Sequence, residues 1–223
     1  MIFCITRAST NRQGPIWFGK RRGGLATIDF WYSIGSTYSY LTVKRLPSVA
    51  KAAGINFRWR PFNVRHVLVS QNNIPFKDKP DKTAHMWRDI ERRAARYGLN
   101  PSVPAPYPLP GLVLANQVAI LGAEEGWCDA YTVATYSRWF EAAQPAGEEP
   151  NLSESLIEIG QDPLRVVETA RSSRIVEALS LATRQAMEAG VFGSPTFVVD
   201  GELFWGDDRL QDAVDWACAG KLS

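Results

Sequence analysis

Four residues, Ser36-Thr37-Tyr38-Ser39, follow shortly after a strand-like run, Ile28-Asp29-Phe30-Trp31-Tyr32, and carry a hydroxyl at each end. A redox site with this spacing would read Cys-x-x-Cys. With serine in both places, the spacing suits a site that handles a thiol without owning one. Ser36 has two readings. Serine is a preferred N-cap, so it can simply close the first turn of a helix. Alternatively, a hydroxyl at a helix N-terminus, where unpaired N–H groups and the macrodipole favour an anion, can donate to a bound thiolate. Such a charge-assisted bond is worth roughly 1.5–3 kcal/mol, which lowers a thiol pKa by about one to two units.

Two later stretches could complete such a site. In Gly193-Ser194-Pro195-Thr196-Phe197 a proline precedes a strand. Its bond to Ser194 can be cis at modest cost, and its missing N–H lets the Ser194 backbone face a ligand. The plainer reading is a turn leading into the strand. In Gly206-Asp207-Asp208-Arg209 the carboxylates either cap a helix or receive an ammonium group.

The elements that must position these residues follow from pattern. Thr27–Tyr32 is β-branched and aromatic, as a buried strand requires. Tyr38–Ala53 has apolar residues at helical spacing behind an N-cap at Ser36, with Pro47 expected to kink or restart it and Gly54 to end it. Ile55–Pro61 reads as a second strand. Asn63–Lys82 is polar and irregular, and Thr83–Tyr97 is a charged helix. The five prolines from Pro101 to Pro110 predict an extended connector. Helices are then expected over Leu112–Glu125, Trp127–Ala143, Leu152–Gly160, Asp162 to about Ser172, and Arg174–Ala189. Thr196–Val199 and Glu202–Trp205 are strands joined by an Asp200-Gly201 turn, and a last helix runs to Ala219. The expected fold class is α/β: a thioredoxin-like β-α-β … β-β-α order with an all-helical insertion domain. Residues 25–62 and 190–223 form the thioredoxin-like domain, and 63–189 the insertion.

Composition narrows the function. The 223 residues are 45% hydrophobic and 22% charged, with a formal net charge of +2. These values fit a soluble globular protein with no nucleic-acid footprint and no membrane span. Cys4, Cys128 and Cys218 are scattered, and the two histidines, His66 and His85, are far apart. That pattern suits a reducing cytoplasm and no metal site. Residues 1–24 are basic, lack an acidic residue and show no periodicity. They read as a disordered extension, as a basic targeting arm, or as sequence ahead of a domain that begins at Leu25.

Asp29-Phe30-Trp31-Tyr32, Ser36-Thr37-Tyr38-Ser39-Tyr40-Leu41, the Gly190–Phe197 stretch and Gly201–Leu210 together resemble the 2-hydroxychromene-2-carboxylate isomerase family. That family is related to kappa-class glutathione transferases and, more remotely, to DsbA-type oxidoreductases. The likeness runs from Thr27 to the C-terminus. It implies glutathione as cofactor, a small unsaturated aromatic-derived substrate, a homodimer, and reversible thiolate addition during aromatic degradation. By resemblance, Ser36 holds the glutathione sulfur, and Ser194, before a cis Pro195, pairs with its cysteinyl backbone. Gly206, Asp207 and Asp208 take its γ-glutamyl end, while Asn73 and Lys82 are further contacts. Thr37 stands where many members have proline, which leaves the specificity open. Trp87, Tyr97, Tyr107 and Trp139 are aromatic lining or core. The alternatives are a kappa-like transferase that releases an adduct, a disulfide oxidoreductase, and a glutathione-binding module without turnover.

Overall fold

The aromatic and β-branched run Thr27–Tyr32 forms β1, the centre of the sheet, with Ile28, Phe30 and Tyr32 wholly buried. Phe30 stacks on Tyr32 and on Phe197 at centroid distances of 5.0 and 5.5 Å. The computed structural model describes residues 25–222; the expectations for residues 1–24, Cys4 included, fall outside them. Helix α1 (Ser39–Ala53) returns the chain so that β2 (Asn56–Pro61) pairs parallel to β1, from Thr27 opposite Asn56 to Tyr32 opposite Pro61. The helix is continuous through Pro47.

Between β2 and β3 every described element is helical: α2 (Val64–Ser70), α3 (Pro80–Arg96), α4 (Leu112–Glu125), α5 (Cys128–Glu141), α6 (Asn151–Glu158), α7 (Pro163–Ala170) and α8 (Ser173–Glu188). Two of these differ from expectation. The stretch read as irregular contains α2, capped by the Asn63 side chain, which accepts from the His66 N–H at 3.2 Å. Seven residues with Val64 and Val67 turned inward are too few to display a period. Helix α3 starts three residues early, because Pro80 occupies its first turn, where a missing N–H costs nothing. Helix α4 is buried nearly all round and packs against α5, α7, α8 and β2. The proline-rich connector is pinned by the Trp139 indole N–H, which donates to the Pro106 carbonyl at 2.7 Å.

The chain then re-enters the sheet. Strand β3 (Thr196–Val199) lies antiparallel to β1, and β4 (Glu202–Trp205) antiparallel to β3, giving the order β2-β1-β3-β4. Asp200 and Gly201 make the hairpin turn with φ of 49° and 88°, the left-handed pair that a two-residue hairpin demands. A 3₁₀ turn (Asp207–Arg209) leads into α9 (Leu210–Ala219). The molecule is thus an α/β, thioredoxin-like fold with helices inserted between the second and third strands. No helix among the described residues is long and apolar enough to cross a membrane.

Candidate active site

Between β1 and α1 the chain makes a six-residue passage, Ser33 to Tyr38, and here the expected N-cap is displaced. The cap position of α1 is Tyr38, without a side-chain cap bond, and Ser36 lies two residues ahead of it. The Ser36 hydroxyl donates instead to the Ser194 carbonyl at 2.6 Å. A long-range acceptor has taken the proton that a cap would aim at its own helix.

Two buried side chains hold this passage. Asn116, on α4, accepts from the Ile34 N–H at 2.9 Å and donates to the Ile34 carbonyl at 2.8 Å, as a neighbouring strand would. The Tyr136 hydroxyl, on α5, lies 3.0 Å from the carbonyls of both Ser33 and Ser36. Burial raises the Tyr136 phenol far above its ordinary value, so it remains a neutral donor. Asn116→Leu should strand the Ile34 N–H in the core and cost about 1–3 kcal/mol. Denaturant titration, with faster amide exchange at Ile34, would register this; unchanged exchange would argue against the pin.

Ser194-Pro195 meets this passage from β3, and its peptide bond is cis. The Ser194 hydroxyl accepts from the Ser33 N–H at 2.9 Å and lies 3.0 Å from the Ser39 hydroxyl. The Pro195 carbonyl accepts from the Gly206 N–H at 2.9 Å, which ties the start of β3 to the end of β4. Gly193 packs so closely under the Trp205 indole that a side chain there would strike the ring.

The adjacent carboxylates Asp207 and Asp208, grouped together in the sequence reading, have different surroundings in the structure. The Asp207 side chain is 1% exposed. One of its oxygens takes Thr42 at 3.0 Å and Arg45; the other takes Arg93 at 2.9 and 3.2 Å and Tyr97 at 3.4 Å. Arg45 also lies over the Tyr97 ring, 3.8 Å from its centroid. A carboxylate so fully engaged has no capacity left for a ligand ammonium. Asp208, about half exposed, retains that capacity, with Arg209 3.2 Å away.

These residues border an open cleft of about 440 Å³, lined by Tyr38, Asp89 and Arg93 on one side and by Ser194, Pro195 and residues 205–209 on the other. Five of the eight expected site residues, Ser194, Pro195, Gly206, Asp207 and Asp208, meet there, and Ser36 joins through its hydrogen bond. Asn73 and Lys82 do not line it. Asn73 is exposed, its N–H on the Leu68 carbonyl, and Lys82 lies 5.7 Å from the Phe76 ring. Burial and the Asp89 carboxylate, 3.1 Å away, raise the Tyr38 phenol to about 12. Of the four aromatics weighed as lining, Trp139 is wholly buried core and Tyr97 belongs to the Asp207 cluster. Trp87 and Tyr107 pack edge to face at 6.1 Å.

Neither described cysteine is near this chemistry. Cys128 is buried, 3.0 Å from the Tyr32 hydroxyl, and burial raises its thiol to about 12. Cys218 lies on α9, and neither lines the cleft. Sequence reasoning missed Asn116, Tyr136, Arg45 and Arg93. The polar pair Asn116-Gln117 inside the apolar run Leu112–Leu121 was the one local sign, and it did not say which of the two holds the loop.

The model of the DSBA-like thioredoxin domain family matches residues 27–215. The 2-hydroxychromene-2-carboxylate isomerase of Sphingobium xenophagum is 28% identical over 186 residues, covering 82% of this chain and 94% of its own. That of Pseudomonas putida is 27% identical over 189 residues, covering 82% and 90%. Among solved structures, a 2-hydroxychromene-2-carboxylate isomerase superposes with a TM-score of 0.77 at 24% identity, covering 87% of this chain and 97% of that one.

Proposed function

The chain belongs to the DSBA-like thioredoxin domain family, and we propose that within it this protein is a glutathione-dependent isomerase of the 2-hydroxychromene-2-carboxylate type. The relatives' names support the reaction class. The observation that carries the reading is the Ser36 hydroxyl, placed against the Ser194 carbonyl at 2.6 Å with no described cysteine lining the adjoining cleft.

The donor set fits a small zwitterionic thiol peptide. Ser36 offers a hydroxyl for sulfur, the Ser194 carbonyl an acceptor for a peptide N–H, and Asp208 a carboxylate for an ammonium group. Arg93 and Arg209 add cationic groups to the cleft. Asp207 is excluded because its oxygens are engaged, and Asn73 and Lys82 because they stand outside the cleft. Held by Ser36, Ser194 and Asp208, glutathione would supply a nucleophilic thiolate for reversible addition to an unsaturated carbon of the substrate.

The chain's own part is to aim one proton. Ser36 directs its proton to the Ser194 carbonyl. A peptide N–H arriving at that carbonyl competes for the same acceptor and releases the Ser36 hydroxyl toward sulfur. Asn116 and Tyr136 keep the Ser36 backbone still while the hydroxyl turns.

Incubating the purified chain with 2-hydroxychromene-2-carboxylate, with and without glutathione, tests the proposal by chromatography. We expect trans-o-hydroxybenzylidenepyruvate to form only with glutathione present and none to be consumed. Isomerisation at the same rate without glutathione would sink the reading. Stoichiometric loss of glutathione into an adduct would instead make the protein a transferase.

A further inference from the structure

We infer that Trp205, backed by Phe192, is the platform on which a flat conjugated substrate stacks, and so a specificity-determining residue of the cleft. The inference rests on the isomerase reading and adds to it the place of the substrate ring. Single exposed apolar residues are ordinary on a protein surface. Trp205 and Phe192 differ in being paired and in where they stand. They are 55% and 43% exposed, with ring centroids 4.9 Å apart and planes tilted by 59°.

Trp205 lines the same cleft as Ser194, Pro195 and Asp208. It is the last residue of β4, in register with Thr196, directly beyond the cis Ser194-Pro195 bond. Its ring is held from two sides: Phe192 flanks it, and Gly193 lies so close beneath that any side chain there would displace it. An aromatic fixed in this way presents a face at little cost in side-chain entropy.

The neighbouring backbone has little to offer a peptide. The Gly206 N–H and the Pro195 carbonyl are already bonded to each other at 2.9 Å. With that pair closed, Trp205 adds a ring face to the cleft beside the charged Asp208 and Arg209, and a ring face matches the planar conjugated partner of a thiol.

The test uses the full chain, labelled with ¹⁵N at tryptophan, and 2-naphthoate as a flat aromatic acid that cannot turn over. The sequence holds eight tryptophans; the indole signal missing from Trp205→Phe identifies Trp205. Titration without glutathione should move that signal selectively. Trp205→Ala should weaken 2-naphthoate binding about five- to tenfold, and Trp205→Phe should restore most of it. Kinetically, Trp205→Ala should raise the chromene KM by a similar factor while the glutathione KM stays within about twofold. An unmoved Trp205 signal, or equal binding by Trp205→Ala, would overturn the platform even if the wild type isomerises. So would a signal that shifts with protein concentration alone, which would make the pair a contact between copies. Naphthoate seated on Trp205 in a protein without isomerase activity would leave the platform standing and remove the reaction.

Discussion

Alanine at position 36 is expected to lower glutathione-dependent turnover at pH 7 roughly 10- to 100-fold, the rate equivalent of one charge-assisted hydrogen bond to a thiolate. The pH profile separates this from general damage. A hydrogen bond to the charged form depresses a thiol pKa. Its removal returns the bound thiol toward about 8.5. The reactive thiolate predominates above that pKa, so the acid limb of the profile should move up by about one to two pH units in Ser36→Ala. The gap between variant and wild type should therefore narrow above about pH 9. The fold itself has little at stake, since the lost bond to the Ser194 carbonyl is worth about 1 kcal/mol. Wild-type turnover at pH 7 with an unmoved limb would remove Ser36 from the mechanism.

The second large effect falls on stability. Asp207→Asn keeps the volume but removes the charge that Arg45 and Arg93 share. The two arginine side chains are 20% and 26% exposed, so each would keep a partly buried guanidinium without its counterion. Breaking such a pair from one side costs about 3 kcal/mol, at the lower end of the usual range because water reaches both arginines. In a chain of this size that lowers Tm by roughly 6–12 °C. Asp208→Asn is the paired control. Its carboxylate is about half exposed, so Tm should hold within about 2 °C while glutathione binding weakens. Calorimetry of both variants decides the matter. The reverse pattern would exchange the roles of anchor and ligand group.

The identical neighbours Asp207 and Asp208 mark how far the sequence alone is legible. Nothing local distinguishes them, because the arginines that claim Asp207 are 162 and 114 residues away. The same distance hides Asn116 and Tyr136, which act 82 and 103 residues from their partners. The strands Thr27–Tyr32, Thr196–Val199 and Glu202–Trp205 were readable to the residue. Their aromatic and β-branched content and the Asp-Gly turn are signals carried within a few positions. Helix ends were less so. The N-cap of α1 is Tyr38 rather than Ser36, whose hydroxyl bonds the distant Ser194 carbonyl, and α2 was too short to show its face. The cleft was therefore legible as three motifs, Ser36–Ser39, Ser194-Pro195 and Gly206–Asp208, and the scaffold that aims them was not.

The Ser36–Ser194 hydrogen bond joins residues 158 positions apart. At translation rates of about 5–20 residues per second, Ser36 waits roughly 8–30 s for its partner to be made. During that interval β1 and β2 can pair, but the edge of β1 that β3 will occupy stays open. A newborn chain thus carries an uncovered apolar strand throughout that interval, when pairing with another chain is the principal hazard. The segment that covers this edge also brings Ser194, Asp207 and Trp205. Protection from aggregation and completion of the cleft arrive together.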